Sequence, residues 1–237
     1  PVFAALGEDG GTFWTGFPER AIRHGVAPAK IKCGIPDSGE DPIVIAGMHD
    51  FMLLRGRPTV LIEHGCGQGF GVESHWNPGG GGIRKEIDLL LSPGPYSARL
   101  DGGVQVGCPK MDSWHRRGTI VTGNTSPVVA VSTHFDCAVC PETRSAFPWF
   151  ERAILEDLPK EYTVVGHCHP RAKLVPAKFR AAGIDFYDDF DDILRIADIY
   201  VCDQSSTLYE FASTGRPVLC YNAPIYRRHV NHGLRFW

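Results

Sequence analysis

Two short segments of this 237-residue chain carry side chains suited to holding a polyanion. The first is Asp203-Gln204-Ser205-Ser206-Thr207-Leu208-Tyr209-Glu210, preceded by Ile199-Tyr200-Val201-Cys202 and followed by Gly215-Arg216-Pro217-Val218-Leu219. Strand formers lead into a polar turn, after which Leu208, Phe211 and Ala212 fall at i, i+3 and i+4 on one helix face. Thr207 and Glu210 have capping-box spacing, and Gly215 with Pro217 is a stop signal. A helix opening on Ser-Ser-Thr beyond a strand end turns unpaired N–H groups and hydroxyls toward that end, which suits phosphate. Ser205, Ser206 and Thr207 are therefore expected on phosphate oxygens. The competing reading is a well-capped core helix.

The second segment follows the strand-like Tyr162-Thr163-Val164-Val165-Gly166 and reads His167-Cys168-His169-Pro170-Arg171-Ala172-Lys173. A cation and an imidazole N–H together neutralise a leaving diphosphate, so His169 and Arg171 are expected on the same anion. His167 alternates with His169 along an extended chain and is the weaker candidate. A metal reading of His-x-His needs a further carboxylate or histidine that the sequence does not place.

A third histidine, His64, ends a strand within Glu63-His64-Gly65-Cys66-Gly67-Gln68-Gly69. With a pKa near working pH, it can deprotonate an attacking hydroxyl. Glu63 faces the opposite side of the strand and does not orient it. Asp188-Asp189-Phe190-Asp191-Asp192 invites a metal-binding reading. Its place before Ile193-Leu194-Arg195-Ile196 is better explained as a helix N-terminus complementing its dipole, so no metal site is expected. Cys137-Ala-Val-Cys140 has no second pair at matching spacing for a zinc or redox centre.

The elements that must position these residues alternate. Strand-like runs are Val2–Leu6, Ile43–Ala46, Thr59–Glu63, Ile87–Leu91, Val104–Val106, Val128–Ser132, Tyr162–Gly166, Asp185–Tyr187, Ile199–Cys202 and Val218–Tyr221. They are apolar and β-branched throughout, as in parallel strands buried on both faces. Helical patterns cover Trp149–Leu158, Lys173–Ala182, Ile193–Ala197 and Thr207–Ser213. The alternation predicts an α/β architecture. The polar stretch Asp112–Pro127 marks a boundary near residue 120, giving domains 1–120 and 121–237. Gly79-Gly80-Gly81-Gly82 reads as a loop or lid, with no P-loop Lys-Ser/Thr after it.

A 43% hydrophobic and 22% charged composition is that of an ordinary globule, and a net charge of −3 supplies no global attraction to nucleic acid or anionic membrane. No run approaches the roughly 20 apolar residues of a spanning helix, so no stable membrane insertion is expected. Scattered cysteines in apolar strands suit free thiols in a reducing, cytoplasmic compartment.

Four segments in order resemble the CDP-glycerol glycerophosphotransferases of teichoic acid synthesis. Arg57-Pro58-Thr59-Val60-Leu61-Ile62-Glu63-His64-Gly65 is similar to that family's strand ending in His-Gly. Val106-Gly107-Cys108-Pro109-Lys110-Met111-Asp112 resembles its Gly-x-Pro-Arg-x-Asp segment. Val164 to Arg171 resembles its strand ending in a histidine near a basic residue, and Asp203-Gln204-Ser205-Ser206 with Arg216-Pro217-Val218 its Asp-Tyr-Ser-Ser and basic-Pro-Ile. The His-Pro and Ser-Ser elements are also similar to those of bacterial polysialyltransferases. Cys66 replaces a frequent threonine and Lys110 an arginine.

The resemblance implies a GT-B-like fold, two Rossmann-like domains with parallel sheets facing a central cleft, the first on the acceptor side and the second binding a nucleotide donor. It implies a transferase moving a glycosyl or glycerophosphoryl group from a nucleotide-diphosphate or CMP-linked donor to an acceptor hydroxyl, with His64 as general base. His169, Arg171, Ser205, Ser206 and Thr207 would hold the donor's phosphates, and no cofactor or divalent metal is expected. Glu210 is either a capping residue or, through the resemblance, a ligand to the nucleotide ribose. The alternatives are a sugar-nucleotide 2-epimerase, a non-catalytic nucleotide-sugar-binding module, and a glycosyltransferase acting on hydroxylated bases of modified DNA. The net charge disfavours the nucleic-acid acceptor.

Overall fold

A computed structural model describes residues 13–15, 31–33, 43–45, 58–62, 87–95, 98, 103–116, 122–136, 144–158 and 161–224. The chain divides into two compact units, Pro1–Ser113 and Trp114–Trp237. The expected strand Val2–Leu6, His64, the Gly79–Gly82 loop, the CxxC and the boundary near residue 120 all lie outside the described residues.

In the first unit, β1 (Phe13–Thr15) pairs in parallel with β2 (Ile31–Cys33). A second parallel sheet holds β3 (Ile43–Ile45), β4 (Thr59–Ile62), β5 (Leu89–Ser92) and β6 (Val104–Gln105) in that order. All four residues of β4 are buried, as expected for an interior parallel strand, and Val60 and Ile62 pack with Leu91. A 3₁₀ turn (Pro109–Met111) and the short helix α1 (Asp112–His115) follow.

The second unit is a doubly wound sheet. Its strands are β7 (Val128–Thr133), β8 (Thr163–Cys168), β9 (Asp185–Phe186), β10 (Ile199–Cys202) and β11 (Val218–Cys220). All pairs are parallel, in the order β11-β10-β7-β8-β9. The chain therefore builds outward from β7 to one side, returns, and builds to the other side. The crevice between the carboxyl ends of β7 and β10 is the point at which strand order reverses, where open α/β sheets bind ligands.

Period-2 alternation divides the core. Val129, Val131 and Cys168 pack on one face with Phe147 and Ile154 of α2 (Phe147–Leu155) and Val175 and Phe179 of α3 (Val175–Ala181). Gly166 is required there, because a Cβ would lie 2.6 Å from the Phe179 ring. On the other face Tyr200 stacks on Phe211 of α5 (Ser206–Ala212) at 5.0 Å and meets Phe190 of α4 (Phe190–Ile196) edge-on at 5.7 Å.

Three local expectations change. Strand β8 runs on through His167 and Cys168, because each aligns with a residue of the longer β7. Ser205, not Thr207, caps α5: its hydroxyl accepts from the Thr207 N–H, so the Thr207–Glu210 capping box does not form. Strands β1 and β2 were not anticipated, since three-residue strands carry too short a pattern to read. The acidic run behaves as a helix start, with Asp189 capping α4 by accepting from the Asp191 N–H.

Candidate functional site

The carboxyl edge of the second unit's sheet gathers the polar residues singled out in its sequence. After β8 the chain turns through His169 and Arg171, and after β10 through Ser205, Ser206 and Thr207. Between them β7 ends at Thr133 and is followed by His134 and Phe135, which no sequence motif singled out. The rings of His134 and Phe135 lie 4.9 and 4.6 Å from that of His169, and the Arg171 guanidinium stands 5.3 Å over Phe135. The signal available was a histidine just beyond the central strand. The strand pattern read from sequence stops at Ser132, one residue short of the strand's end at Thr133.

Local hydrogen bonds set the rings' tautomers. The Arg171 backbone N–H donates to His169 Nδ1 at 3.0 Å, so the neutral ring carries its proton on Nε2. His134 is the opposite: Nδ1–H donates to the Phe135 carbonyl at 3.0 Å, leaving Nε2 as an acceptor.

Asp203 ties the crevice together. Its completely buried carboxylate accepts from the His134 N–H at 2.8 Å and the Ala146 N–H at 2.9 Å, joining β10 to the β7 loop and the start of α2. Burial pushes its carboxyl up to about 7, against the opposing pull of those N–H groups. Beside it, Gln204 is 2% exposed and neither its side-chain polar atoms nor the buried Thr133 hydroxyl has a partner among the described residues.

His167 does not emerge at this edge with His169. It is buried in β8, where Nδ1 lies 2.9 Å from the Ser132 hydroxyl, and burial pushes it down to about 4 despite the attraction of Asp189 and Asp188. Tyr200 Oη sits 2.9 Å from the Thr207 hydroxyl, which donates to Ser205 Oγ at 2.8 Å. The Thr207 hydroxyl is thus engaged inward, while Ser205 and Ser206 are half-buried. Glu210 is buried on α5. Arg216 lies at the amino end of the sheet, donating to the Ala197 carbonyl at 2.5 Å and covering the Phe211 ring at 4.2 Å. Among the described residues no cluster of three metal-ligating side chains forms.

Residues 135–234 match the family model of the CDP-glycerol:poly(glycerophosphate) glycerophosphotransferases. The resemblance read from the sequence is borne out. That span contains both polyanion segments, and the match makes the chain an enzyme of the glycosyl- or glycerophosphotransferase type. The structure is similar to that of the wall teichoic acid polymerase TagF, with a TM-score of 0.59 and 12% identity over 98% of this chain and 68% of that one. A TagF variant soaked with CDPG matches at 0.56, with 12% identity over 93% and 64%. A Listeria monocytogenes protein described as a UDP-N-acetylglucosamine 2-epimerase matches at 0.50, with 10% identity over 89% and 79%. At these identities the likenesses show the fold, which is α/β of the GT-B type. The chain spans about two thirds of the length of the TagF structures. No curated protein matches the sequence.

Proposed function

We propose that the chain moves a glycerophosphoryl or glycosyl group from a nucleotide-activated donor to an acceptor hydroxyl, with CDP-glycerol as the favoured donor. The supporting observation is the sheet edge just described. A family match to glycerophosphotransferases covers a doubly wound unit whose β8 end carries His169 and Arg171 and whose β10 end carries Ser205 and Ser206. A diphosphate across those ends meets a cation, imidazole N–H and hydroxyl donors. With CDP-glycerol, the acceptor oxygen attacks the β-phosphorus, the bond to the bridging oxygen breaks and CMP leaves. With a nucleotide sugar the same leaving-group site serves attack at the anomeric carbon. The hydroxyl proton passes to His64, the proposed general base.

His169, Arg171, Ser205, Ser206 and Thr207 are proposed as the phosphate shell, Thr207 through its hydroxyl bond to Ser205. Glu210 is proposed for the ribose or for a structural role on α5. The charge is met by side chains and N–H groups without a divalent metal. A cytoplasmic setting accords with the free thiols of Cys108, Cys168, Cys202 and Cys220, and no helix among the described residues is long and apolar enough to cross a membrane.

The test separates base from ligand. His64→Ala should lower transfer by about 10²–10⁴-fold, the usual contribution of a general base, with CDP-glycerol affinity nearly unchanged. Affinity falling in step with rate would move His64 into the phosphate shell.

A further inference from the structure

Strands β7 and β8 run in register as far as the pair Thr133 and Cys168, so His134 and His169 are each the first residue beyond the last pair. The His169 N–H donates to the Thr133 carbonyl at 2.9 Å, which holds the two main chains together up to the histidines themselves. Their rings lie 4.9 Å apart with the planes 57° to one another. Phe135 gathers the group: its ring is 4.4 Å from His134 and 4.6 Å from His169, and it carries the Arg171 guanidinium at 5.3 Å. Arg171 is exposed and makes no ion pair among the described residues. The main chain at His134 is pinned from below, its N–H donating at 2.8 Å to the buried Asp203 carboxylate. Three nitrogen-bearing side chains are thus assembled on one apolar ring at the strand ends. Like charges held this close oppose one another's ionisation, and an anion between them reverses that.

We infer that His134 is a further ligand of the donor's diphosphate, sharing a phosphoryl group with His169 while Arg171 meets the remaining charge. This rests on the reading of the strand ends as the donor site. In each ring Nδ1 is the nitrogen bonded within its own turn, to the Phe135 carbonyl for His134 and to the Arg171 N–H for His169, so Nε2 of each is assigned to the ligand. An imidazolium carries a proton on both nitrogens, so His134 keeps its bond to the Phe135 carbonyl and still has Nε2–H for a phosphate oxygen. Rings 4.9 Å apart, each reaching outward through a charge-assisted bond of about 2.7–2.9 Å, span neighbouring oxygens of one phosphoryl group.

The experiment is calorimetry of inorganic pyrophosphate and of CDP-glycerol on the full chain, with melting temperature followed alongside. His134→Phe keeps an aromatic ring against Phe135 and His169 but has no nitrogen. It should weaken both ligands about ten- to hundredfold, the loss of one charge-assisted hydrogen bond, with little change in melting temperature. His134→Gln, whose amide N–H stands in for Nε2–H, should recover part of the loss. The ratio of wild-type to His134→Phe affinity should be larger at about pH 6 than at about pH 8, because histidine gives up its proton over that range. The charged or titratable groups around His134 are present in both proteins: His169 and Arg171 from the β8 turn, Asp203 from β10, and Asp136 with its partner Arg144. If His134→Phe does not fold, the same pH comparison on His134→Gln decides. Wild-type affinity in the variant, or a ratio that does not change with pH, would overturn the inference. Should the wild type bind none of the CDP-, UDP-, GDP- or CMP-linked compounds, the donor reading fails separately. Pyrophosphate then decides the part of His134: the pattern above supports it, and no pyrophosphate binding overturns it.

Discussion

The two ends of β10 carry the same residue type in opposite circumstances. At the amino end, Asp198 accepts from Thr122, from Asn124 at 2.8 Å and from the Val128 N–H at 2.8 Å. Partial burial opposes its ionisation, yet those bonds and nearby Arg216 hold its carboxyl below the usual range. At the carboxyl end, Asp203 is completely buried and burial dominates, taking it up to about 7. The amino end ties connecting segments to the sheet. The carboxyl end tolerates an awkward carboxylate, with a Gln204 amide and a Thr133 hydroxyl that have no partner among the described residues. Groups left in that state cost about 1–3 kcal/mol each, a cost a fold retains where a ligand or a loop geometry needs it.

The sharpest way to break this comparison is to remove both carboxylates. Asp203→Ala leaves two buried N–H groups without acceptors and should cost about 4 kcal/mol in urea denaturation. Asp198→Ala, at the wetter end, should cost about 1–2 kcal/mol. Equal losses would erase the distinction.

Acid sharpens it further. His167 is charged in the unfolded chain below about 6.5 but in the folded protein only below about 4. Its contribution is complete above pH 6.5 and is lost as pH falls through 4, roughly 3 kcal/mol in all. Asp203, with its folded value raised, acts in the opposite sense, losing stability as pH rises from about 4 to 7. The His167 part is therefore read as the difference between wild type and His167→Asn at pH 8 and pH 4.5. The variant should gain on the wild type in acid, and a constant difference would place His167 in contact with water.

The two arginines give a smaller contrast. Arg171→Ala should weaken CDP-glycerol binding about tenfold with little change in melting temperature, since Arg171 is exposed. Arg216→Ala should do the reverse, lowering stability by about 1–2 kcal/mol through the Ala197 and Phe211 contacts while affinity holds. The smallest expected effect is that of chelation. Transfer measured with excess EDTA should persist, and activity that vanished and returned with magnesium or manganese would put a metal at the carboxyl end.

Arg216 shows how far a motif read from sequence can mislead about place. It belongs to the same resemblance as Ser205 and Ser206, yet α5 between them carries it to the opposite end of the sheet. His134 shows the converse. Its one local mark is its place just beyond a strand, and it reaches the site because β7 is central in a sheet whose order only pairing decides.

The alternation of apolar runs and helical faces was legible from the chain alone because it is local: period 2, period 3.6, caps and stops act within a few residues. So was the gathering of basic and hydroxyl side chains just after two of the strands, which depends on residue type alone. Strand order is not local. Val131 facing Gly166, Tyr200 facing Ala130 and Asp203 spanning to His134 join residues tens of positions apart, and no spacing encodes them. The fate of His167 turned on two extra residues of β8, added because β7 was long enough to pair with them. That buried a histidine expected near the anion and set its Nδ1 against the Ser132 hydroxyl. Sequence determined which groups could do chemistry; tertiary pairing decided which of them face the crevice and which lie beneath it.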